Sequence, residues 1–125
     1  MTKMTPLEAW KAKSRRTIKL RSGVTVTVEL TTIRDELLAG HFQGPVMVMA
    51  RQMESNTYDA NHDLTDDELK AFTELRAVII AATVKAVEGE PVELTLADVQ
   101  ELPQDDQDEL WLYAMRLKPL PKATA

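Results

Sequence analysis

One segment, residues 65–89, constrains the fold most, because it carries a helix start signal, a helix stop signal and apolar periodicity between them. Thr65 and Glu68 have the spacing of a capping box. Gly89 is the residue type that most readily ends a helix in a left-handed conformation. The apolar residues recur at close to 3.6-residue spacing: Leu69, Phe72, Leu75, Val78, Ile79, Ala82 and Ala86. We therefore predict one long helix that needs cover on more than one side.

The composition favours one globular domain and disfavours several functional classes. The chain has 125 residues, enough for a domain with its own core. Its net charge of -5 disfavours partners that present phosphates, so we expect no nucleic-acid binding and no docking on anionic membranes. The absence of cysteine excludes disulfides and thiolate chemistry. Because no apolar run has the length of a membrane span and the first residues lack a secretory pattern, we expect a cytosolic protein.

The most regular strand pattern lies at residues 16–30. Ile18 and Leu20 alternate with basic residues before a Ser-Gly turn, and valines alternate with polar residues after it. This pattern predicts a β-hairpin with one apolar and one polar face. A lone hairpin is marginal in water, so it must pack on helices or join a sheet, and its Thr-bearing edge is a candidate for pairing with another subunit.

Basic residues cluster in and before this hairpin. A nucleic-acid patch is one interpretation, but aromatic stacking partners are missing and the net charge is negative. We favour a solvated face that pairs with acidic residues elsewhere. The cluster consists of Lys11, Lys13, Arg15, Arg16, Lys19 and Arg21.

Helical patterns occupy most of the remaining chain. We predict three short helices: one over residues 6–13, one that Thr31 or Thr32 caps and Gly40 ends, and one over 46–53, with a strand over 46–49 as the alternative for the third. The polar segment 54–63 is predicted to be a flexible loop.

Two more helix starts follow the long helix. Thr95 with Asp98 indicates one, and the acidic run 105–109 indicates another that continues to Leu117. We predict a flexible tail over residues 118–125. The expected architecture is a single α+β domain over 1–117, mostly helical, with an N-terminal β-hairpin packed against a helical bundle. The side predicted to be buried on the last helix carries Leu110, Tyr113, Ala114 and Leu117, with Trp111 and Met115 on a neighbouring face.

No arrangement of residues predicts catalysis, a metal or a cofactor. Oxygen-bearing side chains alternate over residues 59–67 as in a calcium loop, but Leu64 replaces the required Gly and Lys70 replaces the bidentate Glu. His41 and His62 have no second ligand at metal-binding spacing. The acidic run 105–109 is explained by its place at a helix start. We therefore expect a protein that is not an enzyme.

Three methionines form the candidate partner-binding group. Met47, Met49 and Met53 lie close together in sequence, and methionine recurs at surfaces that adapt to a partner's shape. Ordinary core filling is the alternative interpretation.

Two segments, one near each end of the chain, have a recognisable order of features. The first is an opening helix with Trp10 followed by KSRRTIKLRSGVTVTVEL, a basic segment leading through a Ser-Gly turn into a Val-rich strand. The second is LTLADVQELPQDDQDELWLYAMR, where a Leu-Pro step and an acidic helix start precede a helix with Trp111 and Tyr113. In both segments the chain resembles tail assembly chaperones of long-tailed (siphovirus-type) bacteriophages. Residues 31–63 depart from the family, because the Met-rich run is unusual there.

This resemblance implies a role in virion morphogenesis in the host cytoplasm. Such proteins bind the tape-measure and tail-tube proteins and shield apolar helices from aggregation. Homo-oligomers are compatible with an apolar helix and a hairpin edge. Two alternatives remain from the sequence: a structural virion component, such as a head-tail connector or tail protein, and a small nucleic-acid-binding regulator.

Overall fold

The hairpin predicted at residues 16–30 is half of a four-stranded antiparallel sheet in the computed structural model, which describes residues 5–7, 15–55 and 65–121. Five complete helices accompany this sheet in the described ranges, besides the helical residues 6–7, so the predicted α+β class is confirmed. In chain order the elements are β1 (Arg15–Lys19), β2 (Thr25–Glu29), α1 (Ile33–Leu38), α2 (Gly44–Glu54), α3 (Asp66–Thr83), β3 (Val84–Val87), β4 (Glu90–Pro91), α4 (Leu96–Gln100) and α5 (Gln104–Ala114).

The sheet is a meander with strand order β1-β2-β3-β4. A three-residue turn joins β1 to β2: the Leu20 N–H donates to the Val24 carbonyl at 2.9 Å, and Gly23 has a φ of +94°. This is the turn type in which a glycine in the left-handed region forms a bulge. Ile18 and Val26 are buried on the inner face, whereas Thr17 is exposed. One face therefore packs on helices and the other faces solvent, as the alternation predicts.

The long helix ends earlier than predicted. α3 begins at the expected cap, where Thr65 and Glu68 form a capping box, but it stops at Thr83, and residues 84–87 form β3 instead. The residues beyond Thr83 pair with β2, with Val28 opposite Val84 and Val26 opposite Val87. The prediction of helix up to Gly89 was wrong because strand pairing supplies hydrogen bonds and burial that outweigh local helix preference.

Gly89 ends no helix; it lies in the β3–β4 turn. Glu88 and Gly89 have φ values of +50° and +81°, and both central residues of a type I′ hairpin turn require positive φ. The stop signal was real, but it marks a hairpin turn.

α3 packs on two separate parts of the fold. Ala77 and Ile80 face the sheet, α4 and α5. Leu75 and Ile79 face α1, α2 and the end of α5. The expectation that this helix needs cover on more than one side is therefore confirmed. Leu69, placed on the buried stripe by periodicity, is 52% exposed.

Side-chain caps confirm the helix start predicted at Thr95 and, of the two candidates Thr31 and Thr32, select Thr32 for the earlier helix. Thr32 accepts a hydrogen bond from the Asp35 N–H, and Thr95 forms a capping box with Asp98. The helix predicted for the segment after Pro45 is also confirmed, and the alternative strand is excluded, since α2 spans Gly44–Glu54. The predicted loop 54–63 and the opening helix 6–13 lie mostly outside the described residues.

The last helix carries two buried carboxylates that hold the β1–β2 turn. Asp106 accepts hydrogen bonds from the Ser22 N–H at 3.2 Å and from the Ser22 hydroxyl at 2.5 Å. Glu109 accepts one from the Arg21 N–H at 3.1 Å. Both acids are under 7% exposed. Helix-end electrostatics, the explanation offered by the sequence, does not account for their burial.

The chain after α5 returns to the domain. The Lys118 ammonium lies 2.9 Å from Glu109 and 5.0 Å from the ring centre of Tyr113. The hydrogen bond to Glu109 is the main cause of the raised pKa of Lys118. Leu120 packs on the core, whereas Leu117, predicted to be buried, is 72% exposed. Packing thus extends beyond the predicted boundary at residue 117.

Candidate functional site

An open apolar groove runs between α2 and the first turns of α3. Its volume is about 460 Å³. The side chains from α2 are mostly apolar. Those from α3 are acidic at one end of the groove, and a small alanine lies at the other end. The lining residues are Pro45, Val48, Met49, Gln52, Asp67, Glu68 and Ala71. A groove of this chemistry between two helices can receive the apolar stripe of a third helix.

The α2 wall follows from helical periodicity. Pro45, Val48, Met49 and Gln52 are spaced i, i+3, i+4 and i+7, so they form one face of the helix. Val48 is 56% exposed, whereas Met49 is 4% exposed. Val48 therefore stands at the groove's lip and Met49 forms part of its floor.

The α3 wall puts negative charge beside this apolar surface. Asp67 and Glu68 lie in the first turn of the helix. Glu68 is held by the cap, because its carboxylate accepts a hydrogen bond from the Thr65 N–H at 3.3 Å. Asp67 is exposed. A basic side chain next to a partner's apolar stripe would meet this acidic end favourably.

The three candidate methionines do not form one surface. Met49 belongs to the core and also lines the groove. Met47 and Met53 are half-buried and pack against the core cluster that contains Phe42. A core role is evident for Met49 at least, and partner binding through the group stays a prediction.

A second cleft, of about 570 Å³, lies between the α1–α2 loop and the segment after β4. Its polar wall includes Glu36 and His41. The buried Glu36 carboxylate accepts a hydrogen bond from the Thr31 hydroxyl at 2.8 Å and is paired with His41 Nδ1. These contacts hold the segments before and after α1, at Thr31 and His41, against Glu36 in the helix. We therefore assign a structural role to the Glu36–His41 pair.

Other functional arrangements have little support in the described ranges. No group of three or more Asp, Glu or His side chains in these ranges could hold a metal ion. None of the helices in the same ranges has the length and apolar character needed to cross a bilayer. Most of the calcium-like segment 59–67 lies outside the residues that the structure describes.

The basic residues of the hairpin are partly neutralised within it. Arg15 Nε lies 3.1 Å from the Glu29 carboxylate on the neighbouring strand. This contact agrees with the interpretation of a solvated face with acidic partners.

Sequence reasoning singled out Met49 but missed most of the groove. Val48 and Gln52 share its helical face, and that spacing was available as a signal. The opposite wall was not, because only the tertiary fold brings Asp67 and Ala71 beside α2.

Comparisons of the chain with protein-family models, with curated proteins and with solved structures gave no match.

Proposed function

We propose that this protein is a non-enzymatic assembly chaperone of bacteriophage tails, acting in the host cytoplasm on the tape-measure and tail-tube proteins. The groove between α2 and α3 is the surface through which it binds helical segments of these partners. The bacteriophage context is supported by the sequence resemblance at both ends of the chain. The binding role is supported by the groove.

The observation on which the proposal rests is an exposed apolar side chain at the edge of a groove with a buried apolar base. Val48 is 56% exposed at the edge of a groove that also includes Met49 and Ala71. Apolar side chains that line a groove between two helices can contact the apolar stripe of a partner helix. A methionine in the floor can adjust its rotamer to different partner residues.

The acidic side chains at one end of the groove indicate which kind of partner helix it would bind. Asp67 favours a helix that carries lysine or arginine next to its apolar stripe. An amphipathic segment of a long helical protein has both features. Shielding its apolar stripe until assembly would keep the unassembled partner from aggregating.

Co-expression tests this proposal. The full chain is produced with fragments of candidate tape-measure and tail-tube proteins, and the soluble, co-purifying fraction of each fragment is measured. Val48→Glu should abolish co-purification, because it puts a charge at the apolar lip. Leu38→Glu is the matched control, since Leu38 is 78% exposed on α1 and lies outside the groove.

Three results would contradict the proposal. One is that no fragment gains solubility or co-purifies with the wild-type chain. Another is equal loss of binding with both variants, which would indicate a general effect of added charge. The third is recovery of the protein as a stoichiometric part of purified virions, which would favour a structural subunit.

A further inference from the structure

The two edges of the sheet differ in their ability to accept another strand. β1 has five residues and lies at one edge, and the two-residue β4 lies at the other. An unpaired edge presents main-chain donors and acceptors to any extended chain that reaches it. Which of these groups face outward follows from the turns.

On β1, three residues direct their main-chain groups away from the sheet. The hydrogen bond between Leu20 and Val24 identifies which residue pairs of β1 and β2 are hydrogen-bonded to each other. Because bonded pairs alternate in an antiparallel ladder, Ile18 and Arg16 bond to β2. Arg15, Thr17 and Lys19 direct their N–H and C=O groups toward this edge, which no other strand of the described residues covers. The Arg15 carbonyl accepts a hydrogen bond from the Arg16 guanidinium at 2.8 Å, so Thr17 and Lys19 present the available groups.

On β4, a proline occupies the outward-facing position, so this edge lacks a main-chain donor there. Val87 and Glu90 flank the two-residue turn, and the Val92 N–H donates to the Lys85 carbonyl at 3.1 Å. The residue between these bonded positions, Pro91, faces outward and has no N–H to offer. Proline at an edge is a known protection against strand addition. Of the two edges, β1 is therefore the one that can be extended.

The charge of β1 determines which kind of strand can pair with its edge. Arg15, Arg16 and Lys19 give the five-residue strand a formal charge of about +3, of which Glu29 on β2 offsets one through its contact with Arg15 at 3.1 Å. The strand therefore stays basic, although the chain as a whole is acidic. Antiparallel pairing with a second copy centred on Thr17 would put Arg15 opposite the other copy's Lys19. Like charges directly opposite each other destabilise a strand pair. Charge complementarity instead favours an acidic strand.

We propose that β1 binds an extended, acidic segment of another protein as a fifth, antiparallel strand. The segment carries acidic side chains opposite Lys19 and Arg15 and a β-branched residue opposite Thr17. An apolar side chain opposite Ile18 continues the buried face. This surface is separate from the α2–α3 groove, and the inference stands without the proposed function.

The test uses a capped nine-residue peptide with the central sequence Glu-Val-Thr-Ser-Glu, labelled for fluorescence anisotropy, and the full-length protein. We expect binding that weakens as salt is raised. A peptide with both glutamates replaced by lysine is the matched control and should bind at least fivefold more weakly, from the usual size of opposed charge pairs.

Two variants locate the site. Thr17→Pro removes an outward-facing N–H and leaves the β2 ladder bonds in place, so it should abolish binding while circular dichroism stays unchanged. If this variant unfolds, Lys19→Glu serves instead: it should weaken the acidic peptide roughly fivefold and strengthen the lysine peptide. Lys70→Glu, an equal charge change on exposed α3 surface, should alter neither.

The proposal is overturned if the lysine peptide binds as well as the acidic one. It is also overturned if folded Thr17→Pro binds normally or if Lys70→Glu matches Lys19→Glu. A dimer in analytical ultracentrifugation that Lys19→Glu disrupts would assign the edge to a second copy instead. Helical fragments bound through the groove would be unaffected by any of these results, so the two proposals fail separately.

Discussion

The Ser22 hydroxyl donates a hydrogen bond to the buried Asp106 carboxylate at 2.5 Å, and this contact joins residues 84 positions apart. The same carboxylate accepts the Ser22 N–H. Together with the bond from Arg21 to Glu109, it fixes the tip of the β1–β2 hairpin on α5. A charged acceptor inside the fold is stable only when its lone pairs are satisfied, and here turn donors satisfy them.

Replacing Asp106 should destabilise the fold. Asp106→Ala removes the acceptor of the hydrogen bonds that the Ser22 N–H and hydroxyl donate, and a typical intramolecular hydrogen bond contributes about 0.5–1.5 kcal/mol. Urea unfolding followed by circular dichroism measures the free energy of unfolding. Asp105→Ala, at an exposed position in the same turn, should change it by less than about 0.5 kcal/mol. Equal losses for the two variants would show that helix-end charge, and not the turn contact, is the dominant effect.

Gly89 should resist substitution because of its backbone conformation alone. Its φ is +81°, and a Cβ there would meet no atom within 4 Å. Gly89→Ala should therefore cost about 1–2 kcal/mol of unfolding free energy, from left-handed strain without a clash. Asn tolerates this conformation better, so Gly89→Asn should lose less. A tolerated alanine, measured by thermal unfolding, would contradict the turn between β3 and β4.

The methionines of α2 should differ in their contribution to stability. Met49 is 4% exposed and belongs to the core, so Met49→Ala should cost about 2–4 kcal/mol through lost burial and a cavity. Met47 is half-buried, and Met47→Ala should cost clearly less. Chemical unfolding of the two variants measures this difference. A larger loss at Met47 would place the core on the other side of the helix.

The Arg76–Asp108 contact should make stability depend on acid pH. The hydrogen bond from the Arg76 guanidinium, helped by one from Gln104, lowers the pKa of Asp108 below its usual 3.8. A carboxylate with a lowered folded-state pKa stabilises the fold above the unfolded-state pKa, and the contribution is lost as pH falls through the folded-state value. The wild type should therefore exceed Asp108→Asn in stability at pH 5–7, and the gap should close toward pH 2.

Urea unfolding of both proteins across this range checks the pH dependence. Because Asp108 is exposed to solvent, added salt should also narrow the gap at neutral pH. A gap that stays constant down to pH 2 would rule out the ionised contact as its cause.

Local signals in the sequence were sufficient for several elements. The caps at Thr32, Thr65 and Thr95 involve residues three positions apart, so their geometry is contained in the segment itself. The β1–β2 hairpin follows from alternation and a short turn, which also act locally. Among the residues that line the candidate groove, only Met49 was predicted from the sequence.

The sequence by itself determined where helices begin, where the first hairpin turns and that α3 needs cover on more than one side. The tertiary structure decided that residues 84–87 are a strand, because only β2 supplies the partner for their hydrogen bonds. It also decided that Asp106 is buried, since the turn donors that make its burial tolerable come from the other end of the chain. Local propensity is read from neighbours in sequence, whereas pairing and burial depend on neighbours in space.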